Sequence, residues 1–235
     1  FGNLEQRWTL SNYAIIFKAT PPFWKYLFNS TVLGLATTFL TLLLSIPSAY
    51  ILSKSKKAIT QIANTYLLAA ALFPYVLLFL ALLELARKFN LGNNLLLLSI
   101  PYTALSLPLA LLLLTSAFRE IPSEIEEASK IEGLNFIQRL RWILIPLIMP
   151  AASSTGILIF LFSWNEFPIS LTWISQPKLL TLPVAIARIA GSSVYSVPYG
   201  PFAAATVVGS IPLLLIVIIF QRQIVSGLTQ GAVKG

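Results

Sequence analysis

Glutamates are the only acidic side chains in this sequence, and most of them are gathered in one place. Of eight acidic residues, Glu120, Glu124, Glu126, Glu127 and Glu132 lie between positions 119 and 146, a charged island in an otherwise oily protein. Ser123 followed three residues later by Glu126 has the spacing of a capping box, which predicts a helix starting at Ser123, just after Pro122, and Gly133 is placed to stop it. On that helix Ile125, Ala128 and Ser129 share a face, and Ala128 and Ser129 are small enough to let another surface approach closely. A second short helix is predicted after the glycine, with Phe136, Leu140 and Leu144 on one stripe. Two short helices joined at a glycine and carrying charge outward fit a docking element for a soluble partner. A solvated loop is the bland reading of the same residues.

The residue types that are missing narrow the chemistry further. Histidine, cysteine and aspartate are all absent. That removes thiol chemistry, disulfides and nearly every metal constellation, and it leaves Ser and Lys without a His or Asp partner for covalent catalysis. The chain therefore reads as no self-contained enzyme, with no cofactor of its own. A phosphate-cradling G-x-x-x-x-G-K-[ST] loop is also absent, since the terminal GAVKG lacks the spacing and the following helix. If ATP drives a process here, another subunit must bind it.

The elements that hold the charged island are set by hydropathy. The 235 residues are 57% hydrophobic and 10% charged, with a mean hydropathy of +0.81. A soluble domain carries roughly 25% charged residues, so these values call for a lipid surround and an all-α polytopic membrane protein. Charge-free intervals run over 26–53, 58–83, 89–118, 142–165 and 189–221. Each exceeds the ~20 residues a helix needs to cross ~30 Å of hydrocarbon. The predicted spans are 30–53, 60–83, 95–118, 143–164 and 202–221. Pro47, Pro74, Pro108, Pro150 and Pro212 fall inside them and predict kinks. The loops at 54–59, 119–141 and 222–235 hold nine of the sixteen Lys and Arg residues, which predicts a cytoplasmic docking loop and a cytoplasmic carboxyl terminus. Scattering of the basic residues among spans argues against a nucleic-acid partner for the net charge of +8.

The charged island also carries a resemblance. Glu127, Ala128, Ser129, Glu132 and Gly133, followed by Ile143, Ile145 and Pro146, resemble the EAA loop of the permease subunits of binding-protein-dependent ABC importers. Two positions depart mildly from the usual pattern, Ser129 for a second Ala and Ile145 for Leu. The segments TLSNY at 9–13, WNEF at 164–167, TLP at 181–183 and GLTQGAVKG at 227–235 are similar to those of the carbohydrate permeases of the maltose type. The resemblance implies a type I ABC importer permease of MetI-like fold, in a multi-pass arrangement in the inner (cytoplasmic) membrane. It also implies cytoplasmic ABC ATPase subunits, a second permease subunit, an extracytoplasmic sugar-binding protein and membrane lipid as partners. Glu127, Ala128, Ser129, Glu132 and Gly133 become the expected ATPase-docking residues, and Gly231 and Lys234 the expected tail contacts. The resemblance also implies one more span than the five visible ones, so that in a chain starting with Phe1 a sixth, N-terminal span is expected to be missing. The expected division is an extracytoplasmic segment at 1–29, a transmembrane domain at 30–222 and a cytoplasmic tail at 223–235.

Polar residues near the predicted outer span ends are the substrate-path candidates. Asn165 and Glu166, beside Trp164, fit that role, although Trp and a carboxylate also mark membrane interfaces. Glu84, with Arg87 and Lys88, reads as a hydrated span-end cluster. Phe79, Phe160, Phe162 and Trp173 fit either a sugar path or lipid contact and helix packing. An ion-coupled secondary transporter or channel is the runner-up; it calls for ionisable groups in mid-span, which the five spans lack.

Overall fold

Inside hydrocarbon every backbone N–H and C=O must be satisfied within its own segment, so each long apolar interval has to become a helix. The computed structural model describes residues 10–191 and 198–232, and among these the chain is built from helices and turns, with no strand. Four helices are long and apolar enough to cross a membrane, and a bent pair brings the total to five. This is the predicted number.

A short amphipathic helix, α1 (Ser11–Lys18), precedes the long α2 (Phe23–Lys54). The latter begins earlier than the expected start at 30. The second predicted span is not one straight helix. It divides into α3 (Lys57–Ala71) and, after a tight turn at Tyr75–Leu78, α4 (Phe79–Lys88), bent by 75°. Pro74 sits at the break, where its missing N–H and its ring end the preceding helix. Then come α5 (Leu95–Arg119), α6 (Ser123–Ile131) and α7 (Phe136–Arg139). The last of these continues through a π-helical turn, Leu140–Leu144, into α8 (Ile145–Asn165), making one crossing of Phe136–Asn165. The second short helix expected after Gly133 is thus the first turn of a span. The short α9 (Pro168–Trp173) and α10 (Leu182–Ala190) lead to α11 (Tyr199–Ala232), which carries non-helical angles at Phe220. Prolines 47, 101, 108, 150 and 212 are accommodated inside helices.

The central element is α2, packed along both α5 and α8. Its buried row, Leu33, Gly34, Thr37, Thr41, Ser45 and Ala49, is mostly small, which lets backbones close up where apolar lipid supplies no driving force of its own. Gly34 is required for this packing, because a Cβ there would meet the Phe160 ring at 2.7 Å. Leu35, Phe39, Leu43 and Ile51 lie on the outward face of the same helix. One buried cluster, including Ala49, Tyr50, Leu114, Phe118, Leu144 and Ile148, closes the end of the bundle that carries α6. A second, built around Leu33, Leu98, Tyr102, Ile169, Trp173 and Val184, fills the opposite end.

Candidate docking site

The predicted helix forms from Ser123, but the Ser123–Glu126 capping box does not. Pro122 occupies the N-cap position, and no side chain caps the helix. Glu126 instead turns into the protein, where it is 5% exposed. The reciprocal capping box lies one helix later: Asn135 accepts from the Gln138 N–H at 2.9 Å, and Gln138 accepts from the Asn135 N–H at 2.9 Å.

Gly133 ends α6 as expected. It adopts φ +78°, and the Leu134 N–H donates to the Ser129 carbonyl at 3.2 Å while the Gly133 N–H donates to that of Lys130 at 3.0 Å. These are the two bonds of a Schellman stop, in which a left-handed residue satisfies the last free carbonyls. A Cβ at Gly133 would meet nothing within 4 Å, so the glycine is required by its backbone angle rather than by crowding.

The structure splits the face predicted for Ile125, Ala128 and Ser129. Ser129 points inward, 2% exposed, with its hydroxyl donating to the Glu126 carbonyl at 2.6 Å. Ile125, Glu127, Ala128, Ile131 and Glu132 point outward, as does Gly133. Ile131 and Ile137 are 87% and 71% exposed, an apolar tip between carboxylates. Behind it Tyr50 of α2 donates to Glu126 Oε1 at 2.5 Å. Lys54 pairs with Oε2, and Lys130 reaches Oε1 at 3.3 Å. Phe118 and Phe136 flank the Tyr50 ring, each with its centroid 5.6 Å away.

At the opposite end, Asn165 lines a cavity of about 530 Å³ together with Leu182, Ile186, Phe202 and Thr206. Its amide donates to the Leu161 carbonyl at 2.8 Å. Glu166 is turned away from solvent, 2% exposed. It accepts from the Tyr102 hydroxyl and from the first free amides of α9, Ile169 N–H at 2.8 Å and Ser170 N–H at 3.1 Å. Glu84, Arg87 and Lys88 are exposed on α4. Of the candidate aromatics, Phe160 and Trp173 are buried in the packing and Phe162 meets Tyr75 and Tyr102 edge to face, while the Phe79 side chain lies outside the described residues. Gly231 belongs to the helical continuation of α11 past Phe220, and Lys234 lies outside the described residues.

A charged helix–glycine–helix hung between two spans is matched by what the sequence as a whole resembles. Residues 5–230 match the family described as the binding-protein-dependent transport system inner membrane component. The chain belongs to that family. The permease is 39% identical over 227 residues to the sulfoquinovosyl glycerol transport system permease protein of Agrobacterium fabrum, covering 97% of this chain and 79% of the relative. It is 37% identical to the trehalose transport system permease protein of Mycobacterium tuberculosis, covering 97% and 82%. With the trehalose/maltose transport system permease protein of Thermococcus litoralis it shares 35% identity over 99% and 84%. Its fold is that of a bacterial ABC transporter involved in the import of the acidic polysaccharide alginate, with a TM-score of 0.70, 22% identity and coverage of 90% of this chain and 78% of the other. It is thus a membrane-embedded permease subunit of a binding-protein-dependent importer.

Electrostatics distinguish the inward carboxylate of the permease's α6 from its outward ones. Burial works against ionisation of Glu126, but the hydrogen bonds from Lys54, Tyr50 and Lys130 outweigh it and hold the carboxyl down at about 2, from an ordinary 4.5. Sequence reasoning missed this group of residues. The spacing of Glu126 and Lys130 marks a helical ion pair, but nothing in the sequence links either to Tyr50, which is 76 positions away from Glu126.

Proposed function

We propose that this permease forms half of the translocation pathway of an ATP-driven sugar importer. It pairs with a second permease subunit, receives substrate from an extracytoplasmic sugar-binding protein, and docks through α6 and Gly133 on a cytoplasmic ABC ATPase. One observation carries the docking reading: the chain between α5 and α8 presents an exposed helix with a glycine stop, and its buried face is anchored on α2. An element fixed from behind and open in front suits transmission of movement. Ala128 fits the floor of the contact, Glu127 and Glu132 pair with basic groups around it, and Ile125 and Ile131 seat in the groove. Ser129, turned inward, supports the helix from behind.

The basic loops support a cytoplasmic position for α6 and the carboxyl terminus at the inner membrane. Gly231 and Lys234 then approach the same ATPase. The substrates in the relatives' names, trehalose, maltose and sulfoquinovosyl glycerol, point to a sugar or a glycoside. Asn165 meets it at the cavity beside α10, and Glu166 holds the wall of that cavity in place.

Ala128→Trp tests the reading. Overpacking a close contact costs about 1–3 kcal/mol, so this variant should release the ATPase from the complex purified in mild detergent, or abolish its stimulated ATP hydrolysis. Glu127→Lys should do so more weakly. Full retention of the ATPase and of stimulated turnover in both variants would overturn the assignment of the docking element.

A further inference from the structure

We infer that Glu126, Tyr50 and Lys54 form a strut that couples the docking element to α2 and, through α2, to the far end of the bundle. The inference rests on the reading of α6 as the docking element. By covalent connection that element moves only α5, which precedes it, and α8, which follows it. The helix α2 is attached to neither end of it, yet Glu126 reaches across to α2 twice, through the Tyr50 hydroxyl at 2.5 Å and through Lys54.

The joint is built to move as a unit. Tyr50 is wedged between Phe118 at the end of α5 and Phe136 at the start of α7, and the Lys54 ammonium lies 5.7 Å from the centroid of the Tyr50 ring. A tilt of α6 cannot leave α2 behind without stripping a buried carboxylate of its partners, which is strongly unfavourable. Glu126 is also the wrong residue for the ATPase, since its carboxylate faces away from the exposed surface that holds Glu127 and Ala128.

The other end of α2 grips the opposite side of the molecule. Asn29 donates to the Lys178 and Leu180 carbonyls at 3.1 and 2.9 Å, and Ser30 accepts from the Leu182 N–H at 2.8 Å. Leu182 opens α10, which lines the cavity that Asn165 shares. One continuous helix, packed against both α5 and α8, therefore connects the docking helix to the wall of that cavity, and a packed helix transmits a shift rather than absorbing it.

The absence of cysteine allows a direct test. Ala187→Cys on the exposed side of α10 reports the cavity wall through its rate of reaction with a thiol reagent. In the complex purified with its ATPase, ATP with vanadate should change that rate by at least about fivefold, the low end of an ordinary coupling between sites. Adding Tyr50→Phe, which removes one hydroxyl and keeps the packing, should reduce the change below about twofold, as should Glu126→Gln and Lys54→Met, whereas Lys54→Arg should retain it. ATPase copurification is scored in the same preparations. Retained ATPase with a lost response supports the strut. A wild-type response in Tyr50→Phe and Lys54→Met overturns it and leaves the docking reading standing. Loss of the ATPase from Glu126→Gln also overturns it, by making Glu126 a docking contact. Failure of the docking reading itself shows separately, as an Ala128→Trp complex that keeps its ATPase.

Discussion

Glu126 and Glu166 sit at opposite ends of the same bundle and solve one problem in two ways. Each carboxylate is almost fully buried, at 5% and 2% exposed, and each accepts from a tyrosine hydroxyl on a spanning helix, Tyr50 or Tyr102. The remaining partners differ. Glu126 is neutralised by Lys54 and Lys130, whose side chains are 39% and 53% exposed. Glu166 is held by the backbone amides of Ile169 and Ser170, and no cation lies within ion-pair distance of it among the described residues. A lysine on a flexible stem can follow a carboxylate as it shifts, whereas a backbone amide is fixed by its helix. The first arrangement suits a joint that stays connected while it moves. The second suits a static pin that fixes α9 to α5.

The largest expected difference lies in stability. Glu166→Ala orphans the Tyr102 hydroxyl and two amides together, a loss of about 3 kcal/mol or more. It should clearly lower the thermal unfolding midpoint of the detergent-purified permease. Glu126→Gln keeps a hydrogen-bonding group beside partly hydrated lysines and should lower the midpoint much less. Equal losses at the two sites would erase the distinction between joint and pin.

Gly133→Val sharpens the comparison at the joint. A β-branched residue at φ +78° costs about 1–3 kcal/mol of backbone strain. Because a Cβ there meets no neighbour, the cost falls on the α6–α7 angle alone. ATP-driven uptake should fall while the amount of permease in the membrane stays near wild type, and Gly133→Asn, which tolerates the left-handed region, should recover part of the activity. Normal uptake by Gly133→Val would show that the angle is not used.

The two ends should also lie on opposite sides of the membrane. Lys56→Cys near the joint should be protected from an impermeant thiol reagent in intact cells, and Gln176→Cys near the pin should react. The reverse pattern would invert the assignment of sides.

The smallest effect is in pH. Against its burial, the Glu126 carboxyl is lowered from 4.5 to about 2 by Lys54, Tyr50 and Lys130. A depressed folded value means that the ionised form stabilises the fold fully above pH 4.5, with the contribution lost as pH falls toward 2. The stability advantage of wild type over Glu126→Gln should therefore be flat from neutral pH to about 5 and shrink below it. An advantage that stays constant down to pH 3 would show that Glu126 acts by shape rather than by charge.

Much of this protein was determined by sequence alone. Apolar intervals longer than a membrane is thick leave the helix as the only way to satisfy the backbone, so the number of spans and their approximate places were legible before any contact was known. Gly133 was legible for a similarly local reason, since a helix stop needs only its own backbone angle. Local patterns failed where a local bond competed with a distant one. The Ser123–Glu126 spacing fits a capping box, but a charged partner network on α2 offers the carboxylate more than one backbone amide does, so Glu126 turned inward and took Ser129 with it. Glu166 read as a substrate-path candidate or an interface carboxylate at a span end, and only the hydrogen bonds from Tyr102 of α5 and from the Ile169 amide revealed it as the buried N-terminal anchor of a short helix. The break at Pro74 was read as a kink, and the structure gives it a size, a 75° bend. Sequence settles what each segment must do about its own backbone. Which buried polar groups meet depends on residues far apart in the chain, and that was decided by the tertiary structure.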